Sequence, residues 1–146
     1  MVQVRTLENR ETTEALALVW DVFLQFEAPD YSQEGIDAFR QSIYDPEYEK
    51  KLTLYGAFQD EKLVGVLATR SGGSHIALFF VRREYQRQGI GRKLFETAVK
   101  NNKSGEITVH SSPFAVPVYE KLGFAATDRE QIVTGICYLP MKIRLY

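Results

Sequence analysis

The stretch from His75 to Lys100, HIALFFVRREYQRQGIGRKLFETAVK, constrains the fold more than any other. Its first seven residues form an apolar run of strand length. Ile90, Leu94, Phe95, Ala98 and Val99 then recur at helical spacing and give one apolar stripe. NNKSG supplies helix-stopping residues, and EITVH reads as a second strand. A strand, a crossover helix and a strand in this order imply that the two strands run parallel.

The link between the first strand and the helix is QRQGIG, Gln86 to Gly91. A helix N-terminus offers unpaired N–H groups and a partial positive charge. Glycine lets another group approach the backbone, so the combination is an anion site, most often for phosphate. Arg82, Arg83, Arg87, Arg92 and Lys93 surround it, and a phosphorylated small molecule is the expected ligand. A dinucleotide fingerprint needs G-x-G-x-x-G directly after the strand. Here position 94 is Leu94, and seven residues separate Val81 from Gly89. A P-loop ends in G-K-[ST], whereas this segment reads Gly91-Arg92-Lys93. A pyrophosphate site of another fold is the third reading.

Val2 to Leu7 alternates and reads as a strand. Leu16, Val19, Trp20, Phe23 and Leu24 mark an amphipathic helix from about Glu11 to Glu27, stopped at Pro29. Ser32 is placed to cap a second helix that carries Ile36, Phe39 and Ile43, and Asp45-Pro46 ends it. LTLYGAFQ, the turn DEK and LVGVLATR make a hairpin, which SGGS extends to HIALFFV as a meander. SPFAVPVYEKLG reads as a short helix with Gly123 at its C-terminal cap. FAAT and IVTGICYLPMKIRL supply the last strands around the turn DREQ. The order describes one α+β domain over residues 1–146, with a mostly antiparallel sheet.

VRREYQRQGIGRKLF resembles the acyl-coenzyme A segment of the GNAT superfamily of N-acetyltransferases, with its pattern [QR]-x-x-G-x-[GA] filled by Gln86, Gly89 and Gly91. SSPFAVPVYEKLGF is similar to a second family segment, N-x-x-A-x-x-x-Y-x-x-x-G-F, through Ala115, Tyr119, Gly123 and Phe124. Ser112 stands where the family usually has asparagine. The likeness of element order spans nearly the whole chain and is weakest over the first fifty residues.

The resemblance implies a mixed sheet with helices on both faces and a parallel strand pair splayed around acetyl-coenzyme A. It implies that the backbone of Phe79, Phe80 and Val81 pairs with the pantetheine arm. The amides of Arg87, Gln88, Gly89, Ile90, Gly91 and Arg92 would cradle the pyrophosphate, with Gln86 in the same loop. Ser112 would contact the cofactor with a hydroxyl in place of an amide. Tyr119 matches the family's general acid, and a phenol with a pKa of about 10 stays protonated at neutral pH. The implied reaction is acetyl transfer to a primary amine, of a small molecule or of a protein, by direct attack in a ternary complex. His75, eleven residues before Gln86, stands where some relatives carry a catalytic glutamate. An ordinary imidazole has a pKa of about 6.5, which suits a base. The bland reading of His75 is a strand-end residue facing water, and that of Tyr119 is a core aromatic.

Composition narrows the partners. A net charge of −1 argues against a polyelectrolyte binder of nucleic acid. Cys137 is the single cysteine, so no internal disulfide forms, and with two histidines it falls short of a structural zinc site. No apolar run is long enough to span a bilayer, and the first residues lack a secretory core, so a cytoplasmic location is expected. Glu27, Asp30, Asp45, Glu47 and Glu49 give the acceptor half an acidic character, which either attracts cationic amines or is routine surface. The apolar stretch Ile136 to Leu145 is either core or a homodimer surface. A coenzyme A-binding sensor without turnover is the competing function, and the presence of Tyr119 weighs against it.

Overall fold

The computed structural model describes residues 2–145. Strand β1 (Val2–Thr6) leads to helix α1 (Thr12–Phe26), helix α2 (Gln33–Ile43) and the short helix α3 (Pro46–Lys50). The meander β2 (Thr53–Gln59), β3 (Lys62–Arg70) and β4 (His75–Val81) follows. Then come α4 (Ile90–Lys100), β5 (Glu106–Ser111) and α5 (Val116–Leu122). The chain closes with β6 (Ala125–Ala126), β7 (Gln131–Val133) and β8 (Ile136–Arg144). The main sheet runs β1-β2-β3-β4-β5-β8-β6, with β7 paired to β8. All pairs are antiparallel except β4 with β5. This is the expected α+β mixed sheet.

Helices cover both faces, which explains why β3 reads as a nearly continuous apolar run. From Val66 on its side chains alternate, and a bulge at Val64, where the register with β2 shifts, turns Val64 to the other face. Val66 and Ala68 pack with Leu18, Val22 and Phe23 of α1, whereas Val64 and Leu67 pack with Ile90 and Leu94 of α4. Ser32 caps α2 as expected, accepting a hydrogen bond from the Gly35 amide at 3.2 Å. Gly123 closes α5 in the left-handed region at φ 110°. No helix of the described residues is long and apolar enough to cross a membrane.

Local details depart from the sequence reading. Pro46 ends α2 but also opens α3, because Asp45 accepts from the Glu47 amide at 2.9 Å and proline is favoured at the first helical position. The helix expected from Ser112 begins only at Val116, since the Ser112 hydroxyl accepts from the Ala115 amide at 3.2 Å and holds a turn. The final strand is broken by a turn at Thr134 and Gly135, which gives β7 and β8; DREQ joins β6 to β7 instead. β8 is bonded to β5 on one edge and to β6 and β7 on the other, and Met141 lies in the core. The new turn has a packing role. A Cβ on Gly35 would lie 2.2 Å from the Gly135 carbonyl oxygen, so only glycine lets α2 rest on this turn.

Candidate active site

The parallel pairing of β4 with β5 consists of His75 opposite Thr108 and Ile76 opposite Val109, and stops there. β4 continues beside β3 to Val81. The change comes at a bulge. Partners step from Thr69–Ile76 to Ala68–Leu78, so Ala77 is one residue too many. Ile76 therefore faces the α4 core while Leu78, two residues on, faces the α1 core. Beyond the bulge the strands part. The Arg82 amide bonds the Val64 carbonyl at 2.9 Å, which makes Val81–Gly65 a non-hydrogen-bonded pair. Val81 and Phe79 thus present their N–H and C=O groups to the gap, whereas Phe80 presents its own to β3.

A cleft of about 390 Å³ fills this gap, walled by Phe79, Val81, Pro117, Val118 and Tyr119, with Arg87, Gly91 and Lys121 at its charged end. The loop that closes this end is shaped by two left-handed residues, Arg87 at φ 63° and Gly89 at φ 84°. Among the described residues the backbone amides from Arg87 to Arg92 find no acceptor; the first bond of the turn is Lys93 N–H to the Gly89 carbonyl at 3.1 Å. A run of free amides at a helix start is an anion nest. Gln86 has a task that its motif position did not reveal. Its amide nitrogen donates to the Val81 carbonyl at 2.9 Å, tying the loop to the strand end. Ile90 is buried and contributes through its backbone. Of the surrounding cations Arg82 is paired with Asp21 at 3.6 Å, leaving Arg87 as the one that lines the cleft from the loop.

A second cavity, of about 200 Å³, lies on the other side of the β4–β5 fork. It is lined by Phe39 and Tyr48 from the helices, by Tyr31 from the segment before α2, by Arg70, His75 and His110 from the strands, and by Ile136. Both cavities share Glu27, Phe79, Phe80, Ala115 and Tyr119. Tyr119 is 5% exposed and its ring packs edge-on against Phe79 and Phe124, so the core reading of this residue is correct in part. Its hydroxyl bonds nothing in the described chain, yet no fully buried side-chain polar atom there lacks a partner, so the oxygen opens on the cavities. Burial, then the nearby Glu27 carboxylate, push its pKa up from 10. The phenol is therefore protonated at any working pH.

Glu27 was read only as one acid among five. It ends α1, where its amide bonds the Phe23 carbonyl at 2.9 Å. Burial raises its pKa to about 8, partly offset by the Ser112 hydroxyl and reinforced by Asp30. The helix C-terminus disfavours its charge as well. Asp45 and Glu47 are spent on α3, as a cap and as a partner of Lys50 at 3.5 Å, so the acidic character does not carry over to the cavity. Ser112, expected at the cofactor, lines the smaller cavity beside Phe79, Ala115 and Tyr119. His75 lies in the same cavity with Nδ1 2.8 Å from the Thr108 hydroxyl and its ring against His110. Burial, then Arg70 and His110, lower its pKa to about 4, so it is a neutral ring at physiological pH.

Residues 27–145 match the family model of the acetyltransferase (GNAT) domain. The chain belongs to the GNAT superfamily. Its parallel pair β4–β5 is the one that the resemblance implies. This GNAT chain is 24% identical over 134 residues to the uncharacterized N-acetyltransferase YafP of Escherichia coli K12, covering 90% of this chain and 86% of that protein. The fold is similar to a GCN5-related N-acetyltransferase structure from Rhodopseudomonas palustris, with a TM-score of 0.84 at 20% identity over 98% of this chain and 95% of that one. It is also similar to the PaiA N-acetyltransferase of Thermoplasma acidophilum, solved with coenzyme A, with a TM-score of 0.79 at 19% identity over 99% of each chain. The GNAT domain is an N-acetyltransferase domain, and the chain is an enzyme of that class.

Proposed function

We propose that this N-acetyltransferase moves the acetyl group of acetyl-coenzyme A to a primary amine in a ternary complex, with Glu27 as general base and Tyr119 as general acid. The observation that carries the reading is the meeting of two cavities at these two side chains. One cavity has the free amides that suit a pyrophosphate; the other is walled for a small acceptor. The coenzyme A complex of the Thermoplasma relative supports the cofactor.

Acetyl-coenzyme A would supply an activated thioester carbonyl. Phe79 and Val81 would bond its pantetheine arm through their free strand edge, in the manner of an added strand. The amides from Arg87 to Arg92 would hold the pyrophosphate, with Arg87 and Lys121 adding charge. The Val81 N–H faces the gap and would donate to the carbonyl oxygen as charge develops there. Glu27 takes the proton from the ammonium form of the acceptor; a carboxylate with a pKa of about 8 is well matched to that transfer. Tyr119 donates its proton to the departing sulfur. His75, at about 4, is too weakly basic for the first task.

The test is thiol release from acetyl-coenzyme A over an amine panel, with the acetylated product identified by mass. Release that depends on the amine supports the transferase. Tight coenzyme A binding without release for any amine would establish the sensor function instead.

A further inference from the structure

The acceptor-side cavity has a charge pattern that selects among amines. Arg70 ends β3, opposite His75 at the start of β4. It lines the cavity and, among the described residues, makes neither an ion pair nor a side-chain hydrogen bond. Its neighbours His75 and His110 are both held toward the neutral form, first by burial and then by Arg70 itself. Tyr48 feels the same positive field. The only carboxyl group in the wall is Glu27, which lies at the other end, beside Tyr119 and the cofactor cleft. Four strand steps lead from His75 to Phe79, about 13 Å at 3.3 Å per residue, less the slack of the bulge.

A cavity with a proton acceptor at one end, an unpaired cation at the other and aromatic walls between fits an amphoteric ligand. We propose that the acceptor is a small amino acid-like amine whose carboxylate is held by Arg70 while its amine lies between Glu27 and Tyr119. This rests on the acetyl-transfer reading above. Arginine suits the task because its planar fork meets both oxygens of a carboxylate. The volume of about 200 Å³ lies below that of sites for drug-sized ligands, which suits a small amine. Tyr31 and Phe39 favour an apolar body between the two charged ends.

The experiment compares matched pairs that differ only in the carboxylate, such as phenylalanine with phenethylamine and 4-aminobutyrate with butylamine. Thiol release and product mass are the readouts. At least one carboxylated member is expected to exceed its partner tenfold or more in kcat/KM. Arg70→Met keeps the apolar stem and loses the fork; KM for that acid should rise tenfold to a hundredfold while KM for the decarboxylated amine stays put. Arg70→Lys should restore part of the loss. A wild-type preference for the decarboxylated member in every pair overturns the inference and leaves the transferase standing. So does an equal loss for both members in Arg70→Met. Acetylation of no amine at all overturns the transferase reading itself.

Discussion

The two cavities are built by different means. The cofactor side is made of backbone: the free edge at Phe79 and Val81 and the unpaired amides from Arg87 to Arg92. The acceptor side is made of side chains drawn from α1, α2, α3, β3, β4, β5 and β8. A backbone site depends on where glycine and a helix start fall, so it tolerates variation in most of its side chains. A side-chain site changes its ligand with each substitution. The fold can thus keep one donor while its acceptor changes.

The sharpest way to break this comparison is at the junction. Glu27→Gln removes the proton acceptor without changing shape. We expect kcat to fall by about a thousandfold, within the range of general base catalysis, with the Kd for acetyl-coenzyme A unchanged. In the wild type, kcat/KM should climb with pH toward a plateau above about 8, and this limb should vanish in the variant. The sign for stability runs the other way. The folded pKa of about 8 lies above the ordinary carboxyl value of 4.5, so the folded state binds the extra proton. Stability conferred by protonated Glu27 is present below 4.5 and is lost as pH rises toward 8. Glu27→Gln should therefore melt higher than wild type at pH 8 to 9, and the gap should close near pH 4.5. A variant less stable than wild type at pH 9 would refute the buried carboxyl.

Tyr119→Phe should cost about a hundredfold in kcat and leave the pH limb in place, because Glu27 still titrates. The ring contacts with Phe79 and Phe124 survive, so the melting temperature should hold. Equal loss in cofactor binding would make Tyr119 a packing residue. Gly89→Ala probes the backbone side alone. Nothing lies within 4 Å of the added Cβ, so the effect comes from φ 84° and not from a clash. A non-glycine residue in the left-handed region costs about 1 to 2 kcal/mol, and the Kd for acetyl-coenzyme A should rise about tenfold. The acceptor preference should stay unchanged.

The same contrast governs what the sequence discloses. The amide nest is written in six consecutive residues, because a loop and a helix start are local. The crossover through α4 marked β4 and β5 as a parallel pair, and the apolar runs around a short polar turn marked β2 and β3 as a hairpin. Glu27 carried no mark of the base proposed for it, because its surroundings are set by the end of α1 and by Ser112, which are far apart in sequence. The bulge at Ala77 leaves no mark in HIALFFV, since an apolar run on a sheet covered on both faces looks the same in either register. Gly35 and Gly135 each read as an ordinary glycine until the fold set one against the other.

His75 is the finest test of that difference, since motif spacing and side-chain environment give it opposite roles. By spacing it is a base; by environment it is a neutral ring whose Nδ1 is engaged at 2.8 Å with Thr108 at the last paired rung of β4 and β5. With a pKa of about 4 it does not change charge between pH 6 and 9. His75→Ala should therefore leave the pH–rate profile of kcat unmoved across that span. It should lower stability by about 1 kcal/mol for one lost hydrogen bond. A profile that loses its basic limb in His75→Ala and keeps it in Glu27→Gln would return the proton to the histidine, and with it the role that the spacing alone suggested.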